Sequence, residues 1–270
     1  MRPDQLPVFG NVMQTKAAFI LLIIAMACMG CAGLTSPSPL PLLPTPSATA
    51  TATATPTIVW FPPTATFTPF PTSTPLPPTP EMRPGIGNIL LEDDFLEGTK
   101  WELRSDGQGK VSLGKAELTI AIEEKKAYLY SLRTEPVLRN FYAEITANPN
   151  LCQEKDEYGL LIRAASEGNY YRFSLSCQGQ ARLDRILGGA ASSPQPWMDS
   201  GAVPIGAPSF SRLGVWANGA EMRFFANDQY LFSVRDATIP EGRLGIFARN
   251  SGGHALTVNF SKLVIYAVNP

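Results

Sequence analysis

The sequence predicts an all-β domain, an antiparallel sandwich of two sheets, carried behind an export signal and a long linker. Past residue 87, short runs alternate between apolar and polar residues with a period of two, and turn residues separate these runs. No stretch of the domain sustains the 3.6-residue apolar period of a helix. Two-residue alternation is typical of half-buried strands, and many short strands in succession favour a sandwich.

A short apolar run near the N-terminus predicts export. Residues 17–27 follow Lys16 and end in small residues, and the run is shorter than the roughly 20 residues of a spanning helix. A glycine precedes Cys31, which resembles a bacterial lipobox; Cys28 is the alternative lipidation site. Residues 1–31 are therefore predicted to be a lipoprotein signal that anchors an exported bacterial protein to a membrane, with its domain on the extracytoplasmic side. An ordinary cleaved signal is the other interpretation.

The next segment, 32–87, is predicted to be a disordered linker. It is dominated by Pro, Thr, Ser and Ala, and it carries no charged residue between Ala32 and Pro80. Proline removes backbone donors, and such a tract buries too little apolar surface to offset the entropy of ordering the chain. The linker is expected to be a semi-rigid spacer.

Charge and cysteine content limit the function classes. The 270 residues carry 22 Lys+Arg and 23 Asp+Glu without a basic cluster, which argues against nucleic-acid binding. Two of the four cysteines, Cys152 and Cys177, lie in the domain 88–269. In an exported protein such a pair suggests a disulfide, the alternative being two free buried thiols. The spacings match no zinc motif.

The strands are predicted in chain order from the alternating runs. Asn218-Gly219 is a strong hairpin signal, Asn227-Asp228 marks a further turn, and 188–208 is expected to be a loop. The predicted strand runs are 87–95, 101–103, 110–113, 116–122, 127–132, 140–146, 158–164, 170–177, 181–187, 211–217, 221–226, 230–235, 243–249 and 255–266.

One predicted hairpin would bring the two domain cysteines close together. If the turn after Ala164 pairs the two flanking strands, Tyr158 lies near Ser176. Cys177 then lies beside the chain that follows Cys152, and a short loop would bring the two sulfurs together.

A set of residues spread over nearly all of 88–269 carries a family resemblance. These residues are Asp94-Phe95, Trp101, Tyr158-Gly-Leu, Arg163, Asn169-Tyr-Tyr-Arg-Phe173, Leu213-Gly-Val215, Phe224, Asn227, Val234-Arg-Asp236, Glu241-Gly-Arg-Leu-Gly-Ile246, Val258-Asn-Phe260 and Leu263-Val-Ile265. In their order the domain resembles concanavalin A-like (laminin G-like) jelly rolls and, within them, the bacterial group named for 3-keto-disaccharide hydrolase-like domains. The resemblance implies a two-sheet jelly roll with sugar binding or catalysis on the concave face or rim.

The sequence departs from the catalytic pattern of related glycanases. Those relatives carry Glu-x-Asp-x-x-Glu, or a form one residue shorter, on one strand, and no predicted strand here has either. The only histidine, His254, follows Ser251-Gly-Gly in a turn, which is a poor position for a Ser/His/Asp triad. The domain is therefore not expected to be an enzyme, and if it is one, it is expected to be glycoside hydrolase-like.

Exposed aromatic and arginine side chains are the candidate ligand contacts. If Tyr171 and Phe173 point inward, Tyr170 and Arg172 point outward, and alternation also turns Trp216 outward. Aromatic faces stack on sugar rings, and arginine binds hydroxyls or carboxylates. The alternative is that these side chains pack on a covered face or under a loop. The predicted ligand contacts are Arg163, Tyr170, Arg172, Trp197 and Trp216.

No cofactor is predicted, with calcium as a weaker alternative. Calcium requires several oxygen ligands, and acidic residues stand together near Asp93, Asp94 and Asp156. Acidic runs at strand ends are more often simply solvated.

Three functions follow from these observations. The preferred one is a surface-tethered, non-catalytic module for a glycan or cell-envelope polymer. The alternatives are a glycoside-processing enzyme and a structural or sensory ectodomain whose partner is a protein.

Overall fold

Fifteen β-strands make up most of residues 80–97 and 100–269, the part of the chain that the computed structural model describes. The signal segment, Cys28, Cys31 and the linker up to residue 79 lie outside it. No helix in these ranges is long and apolar enough to cross a membrane. The strands are β1 (Ile86–Asp93), β2 (Arg104–Asp106), β3 (Gly109–Leu113), β4 (Leu118–Ile122), β5 (Tyr128–Leu132), β6 (Phe141–Leu151), β7 (Glu157–Ser166), β8 (Asn169–Ser176), β9 (Gln180–Leu187), β10 (Ala190–Asp199), β11 (Ser211–Asn218), β12 (Glu221–Ala226), β13 (Gln229–Arg235), β14 (Arg243–Arg249) and β15 (Leu256–Val268).

The strands form two antiparallel sheets, which confirms the predicted jelly-roll sandwich. The nine-stranded sheet has the order β13-β12-β11-β6-β15-β4-β3-β2, and β1 pairs with the second half of β15. The six-stranded sheet has the order β10-β9-β8-β7-β14-β5. Neighbours such as β6 and β15 are far apart in sequence, as the crossovers of a jelly roll require.

The core lies between the sheets and is built from alternate residues of facing strands. Along β15, Val258 and Phe260 point into it, whereas beyond the bulge at Lys262 the inward residues are Leu263 and Ile265. Lys262 has a φ of 54°. A bulge inserts one residue, so it shifts the inward face from even to odd positions and keeps the long strand apolar on one side.

A second bulge lies in the hairpin of β7 and β8. Ser166 pairs with Asn169 at the turn, but beyond Arg163 the register shifts, so that Tyr158 pairs with Leu175. The sequence-based pairing of Tyr158 with Ser176 is therefore wrong by one position, because an alternation pattern does not reveal a bulge at a non-glycine residue.

The predicted disulfide is confirmed. Cys152 is bonded to Cys177, their Cα atoms lie 6.0 Å apart, and both residues are buried. The Cys177 amide donates to the carbonyl of Asp156 at 3.1 Å, which places it beside the loop after Cys152. The bridge joins the end of β6 in one sheet to the end of β8 in the other.

Part of the predicted loop 188–208 is instead an edge strand. β10 pairs with β9 with two register shifts, and Pro194 and Pro196 lie at these irregular positions. Proline cannot donate to a sheet ladder and is tolerated at edges and bulges. The lack of regular alternation in 190–199 explains why the sequence did not predict this strand.

The segment before β1 packs on the outer face of the nine-stranded sheet. Trp216 Nε1 donates to the Pro84 carbonyl at 2.8 Å, and Arg223 Nη1 donates to the Met82 carbonyl at 3.0 Å. The Arg83 guanidinium lies 5.5 Å from the ring centroid of Tyr142. We call residues 82–85 the strap; the sequence assigned them to the linker.

Candidate functional site

The outer face of the six-stranded sheet carries the candidate site. Leu160, Phe173 and Leu183 point into the core, so the alternate residues of the same strands point outward. We call this surface the arginine face. It comprises Arg172, Arg182, Arg249, Glu157, Asp184 and the aromatic residues Tyr128, Tyr130, Tyr170, Trp197 and Phe247.

Strand register aligns these side chains in rows across the sheet. One row runs from Tyr128 on β5 through Arg249 and Glu157 to Ser176 on β8. The next runs from Tyr130 through Phe247, Gly159 and Ser174 to Arg182, and a third runs through Leu161 and Arg172 to Asp184. Because neighbouring strands lie about 4.8 Å apart, side chains within a row are in contact range.

The middle row has room for the Phe247 ring because it contains Gly159. A Cβ at this position would meet the Phe173 carbonyl oxygen at 2.0 Å and the ring of Phe247 at 3.2 Å. Glycine therefore lets the aromatic ring on the neighbouring strand lie over the sheet.

A continuous ion network connects the rows. Arg172 Nη2 donates to Asp184 at 2.7 Å, and Arg182 Nη2 lies 3.0 Å from Asp184 Oδ2 and 3.0 Å from Glu157 Oε2. Arg249 Nη1 binds the other oxygen of Glu157 at 3.2 Å. Three guanidiniums thus share two carboxylates, so the network carries one excess positive charge.

Aromatic rings support the guanidiniums from the side. Arg182 lies over the ring of Trp197 at 4.4 Å, and Arg172 lies 5.6 Å from Tyr128 and 5.8 Å from Phe247. Cation–π contacts of this length are attractive and fix the plane of the guanidinium.

Burial and charge raise the pKa of three groups on this face, Tyr128, Tyr130 and Arg172. Burial raises the pKa of Tyr128 well above its usual value. For Arg172, burial acts to lower the pKa, but the hydrogen bond to Asp184 and nearby negative groups outweigh it and raise the pKa above the ordinary value. Arg172 therefore stays a cation at every physiological pH.

The two carboxylates lie close together but all four of their oxygens are occupied. Glu157 Oε2 and Asp184 Oδ2 share one arginine nitrogen at 3.0 Å each, so they are at most about 6 Å apart. Glu157 Oε1 is bound by Arg249, and Asp184 Oδ1 accepts from the Ser193 hydroxyl at 2.6 Å. The arrangement suits recognition better than proton transfer, because a general acid needs a carboxyl oxygen that can reach the substrate.

Three of the five predicted ligand contacts lie on the arginine face. Tyr170 is half-buried beside its aromatic cluster, Arg172 belongs to the ion network, and Trp197 supports Arg182. The sequence-based orientation of Tyr170 and Arg172 away from the core is therefore what the structure shows.

The other two predicted contacts, Arg163 and Trp216, lie elsewhere and are buried. Arg163 is 0% exposed; its Nη2 donates to the carbonyls of Arg139 at 2.7 Å and Gly219 at 2.8 Å, so it joins two loops. Trp216 is 3% exposed because the strap covers it on the opposite sheet. Neither side chain presents a surface to a ligand, which corrects these two predictions.

The sequence did not single out seven of the ten members of the face, namely Arg182, Asp184, Glu157, Arg249, Tyr128, Tyr130 and Phe247. Arg182 and Asp184 follow the same period-two alternation on β9 that placed Arg172, so the pattern contained a signal for them. Glu157, by contrast, lies just before the predicted strand 158–164, and Tyr128, Tyr130, Phe247 and Arg249 lie in predicted strands whose outer face was not distinguished. Their grouping depends on pairing β7 with β14 and β5, which are distant in sequence.

A cleft of about 850 Å³ opens elsewhere, where β15 passes from β4 to β1. Its described lining mixes Lys100, Lys115 and Lys262 with acidic side chains and contains no aromatic ring. Two of the calcium candidates, Asp93 and Asp94, lie here. Without an aromatic platform this cleft fits a sugar ring less well than the arginine face does.

The structure gives the calcium candidates protein partners. Asp93 accepts from Phe95 N, Trp101 Nε1 and Arg133 Nε, and Asp94 accepts from Leu96 N. Asp156 accepts from Ser251 N at 2.7 Å and Gln153 N at 3.0 Å. Among residues 80–97 and 100–269, no three His, Cys, Asp or Glu side chains are grouped to hold a metal ion.

Comparison with known proteins supports the fold. No protein-family model matches the chain, and no curated protein matches it in sequence. A Bacillus subtilis protein of unknown function with a galectin-like fold is similar, with a TM-score of 0.52, 13% identity and coverage of 68% of this chain and 99% of that one.

Two further solved structures are similar. One comes from prominent members of the human gut microbiota that express endo-acting O-glycanases to initiate mucin breakdown; its TM-score is 0.50, with 9% identity over 67% of this chain and 100% of that one. The other is the carbohydrate-binding module CBM66 from Bacillus subtilis, with a TM-score of 0.47 and 15% identity over 62% of this chain and 96% of that one. At such identities the likeness is one of fold.

Proposed function

We propose that this protein is a membrane-tethered lipoprotein whose β-sandwich binds a carbohydrate or cell-envelope polymer on the arginine face, without chemical turnover. The observation that carries the proposal is the combination of aromatic rings, guanidiniums and carboxylates on one sheet surface. Sugar rings stack on aromatic faces, and their hydroxyls need planar, directional hydrogen-bond partners. The fold likeness to a structure connected with O-glycanases is consistent with a glycan ligand.

The occupied carboxylates favour binding over hydrolysis. A glycosidase needs one carboxyl group to protonate the leaving oxygen and another to attack or to activate water. Here each oxygen of Glu157 and Asp184 already accepts a hydrogen bond from an arginine of the face or from Ser193 on β10.

The test is binding of the full chain, in detergent, to a panel of neutral and acidic polysaccharides by calorimetry. We expect Trp197→Ala to weaken binding by about tenfold, since a stacked aromatic contact is worth about 1–3 kcal/mol where it is known for nucleic-acid bases, and about 1.4 kcal/mol is tenfold in affinity. Arg212→Gln, on the other sheet, is the control and should bind normally. Failure to bind any glycan, or full affinity in Trp197→Ala, would refute the proposal.

Glycoside processing is the second candidate, favoured by the short separation of Glu157 and Asp184. An oxygen separation of at most about 6 Å covers the spacing of about 5–5.5 Å used by retaining enzymes. Cleavage of glycosides or 3-keto-glycosides that is abolished by Glu157→Gln and by Asp184→Asn would establish it over binding alone.

The tether is tested separately. Cys31→Ser combined with Cys28→Ser should move the protein from the membrane to the soluble fraction. Two or three acyl chains anchor a protein stably in the bilayer, and the double variant has no cysteine to carry them. Continued membrane retention would exclude the lipid anchor. In that case glycan binding by the domain is still tested by calorimetry.

A further inference from the structure

Guanidiniums outnumber carboxylates on the arginine face by three to two. We infer that its ligand is an acidic polysaccharide that presents carboxylates, as a uronate-bearing polymer does. This inference rests on the proposed function and narrows it to one class of glycan.

The carboxylate oxygens of the face are already engaged. Both oxygens of Glu157 accept hydrogen bonds from arginines of the face, and the oxygens of Asp184 accept from Arg172 and from Ser193 on β10. The hydroxyls of Tyr128 and Ser174 have no partner within the described residues, but both are buried and uncharged.

The donors are not used up. The hydrogen bonds of the three arginines come from one nitrogen each, Nη2 of Arg172, Nη2 of Arg182 and Nη1 of Arg249. Within the described residues, Nε of Arg172 and Nε of Arg182 also have no acceptor, but both atoms are buried. A guanidinium offers five N–H donors, so a large donor capacity remains.

The donors within reach of a ligand are those of Arg249, because its side chain is largely exposed and, in the described part of the protein, only its Nη1 donates a hydrogen bond. A carboxylate supplies two acceptor oxygens in the planar geometry that matches a guanidinium fork. It also neutralises the one excess positive charge of the network, which a hydroxyl does not.

Arg249 is the guanidinium most open to such a ligand. Its side chain is 46% exposed, against 16% for Arg182 and 12% for Arg172. It stands in the same row as Tyr128, next to the aromatic cluster. A sugar ring on the aromatic side chains would therefore place a ring carboxylate near Arg249.

The experiment compares each acidic polymer with its own neutral form. Polygalacturonate, alginate and hyaluronan are bound to the full chain in detergent, each beside the carboxyl-reduced polymer of the same linkage. We expect at least one acidic polymer to bind about tenfold or more tightly than its reduced form, the size of one charge-assisted hydrogen bond. Its affinity should fall between about 0.05 and 0.5 M NaCl, as screening requires.

Matched arginine variants locate the contact. Arg249→Gln should lose about fivefold or more in affinity for the acidic polymer and keep its weak affinity for the reduced form. Arg212→Gln is the control, because its side chain is 43% exposed but lies on the other sheet. Unchanged affinity in Arg249→Gln would overturn the inference.

The outcomes separate the two proposals. Equal binding of an acidic polymer and its reduced form would overturn the acidic-ligand inference and leave glycan binding intact. Dextran sulfate binding as tightly as every carboxylated polymer would also overturn it, since attraction to any polyanion explains that result. Binding of no polysaccharide at all would refute glycan binding itself.

Discussion

The carboxylate of Asp93 and the guanidinium of Arg133 form a buried ion pair, with Nε 2.9 Å from Oδ2 and side-chain exposures of 6% and 3%. Trp101 Nε1 donates to the same oxygen at 3.0 Å, and Phe95 N donates to the other at 2.8 Å. The pair joins the end of β1 to the chain after β5, so it connects the edges of the two sheets.

We predict that Asp93→Asn lowers the free energy of unfolding by about 3–5 kcal/mol, because it leaves a buried guanidinium without its charge partner. Asp94→Asn is the matched control, since Asp94 is exposed, and should change stability by less than about 0.5 kcal/mol. Urea unfolding of both variants provides the measurement. Equal stability of the two variants would show that the pair contributes nothing.

The same pair predicts a pH dependence. Burial acts to raise the pKa of Asp93, but the hydrogen bonds from Arg133, Phe95 and Trp101 lower it below its ordinary value. The stabilisation is therefore present above the ordinary pKa of about 3.9 and is lost as the pH falls through the lower folded value. Stability of the wild type should fall in that acidic window more steeply than stability of Asp93→Asn.

We predict that loosening the strap speeds amide hydrogen exchange locally without unfolding the domain. Trp216→Phe keeps a ring on the sheet but removes the Nε1 donor to Pro84. Amide hydrogen exchange in 83–87 and at Asn269, which donates to the Gly85 carbonyl, should quicken about fivefold. Trp197→Phe, on the six-stranded sheet, should leave these amides unchanged. Slow exchange in Trp216→Phe would mean that the indole donor does not hold the strap.

The disulfide predicts a global effect. Because it closes a loop of 25 residues, the double variant Cys152→Ala, Cys177→Ala should lose about 3 kcal/mol in free energy of unfolding. Thiol titration of the wild type in denaturant should find both domain cysteines unreactive until a reductant is added. Two reactive thiols in this domain without reductant would contradict the bridge.

Tyr158 predicts loss of stability at high pH. Burial raises its pKa from about 10 to about 12, although the hydrogen bond with Ser211 at 2.9 Å acts in the opposite direction. The folded state therefore holds this proton longer than the unfolded chain, and stability falls by about 1.4 kcal/mol per pH unit between these two values. Tyr158→Phe should show a shallower alkaline fall, whereas Tyr230→Phe, at an exposed position, should show the wild-type fall.

Local sequence patterns predicted much of this fold because strand faces are set by neighbouring residues. Alternation correctly turned Phe173 inward and Arg172 outward, and the Asn218-Gly219 signal lies at the turn between β11 and β12. The pattern did not predict the bulge at Arg163, where φ is 51° and the side chain donates to carbonyls of two loops distant in sequence. It also missed β10, an irregular edge strand with two prolines.

The sequence by itself determined that the domain is an antiparallel sandwich, which residues of most strands face the core, and that Cys152 and Cys177 come together. Only the tertiary structure decided which outer surface is available. The strap covers Trp216 on the nine-stranded sheet, whereas Arg172 meets Asp184 and Arg182 in an ion network on the other. The physical reason is that alternation is a local property of each strand, whereas the cover and partners of an outer face come from residues far away in sequence.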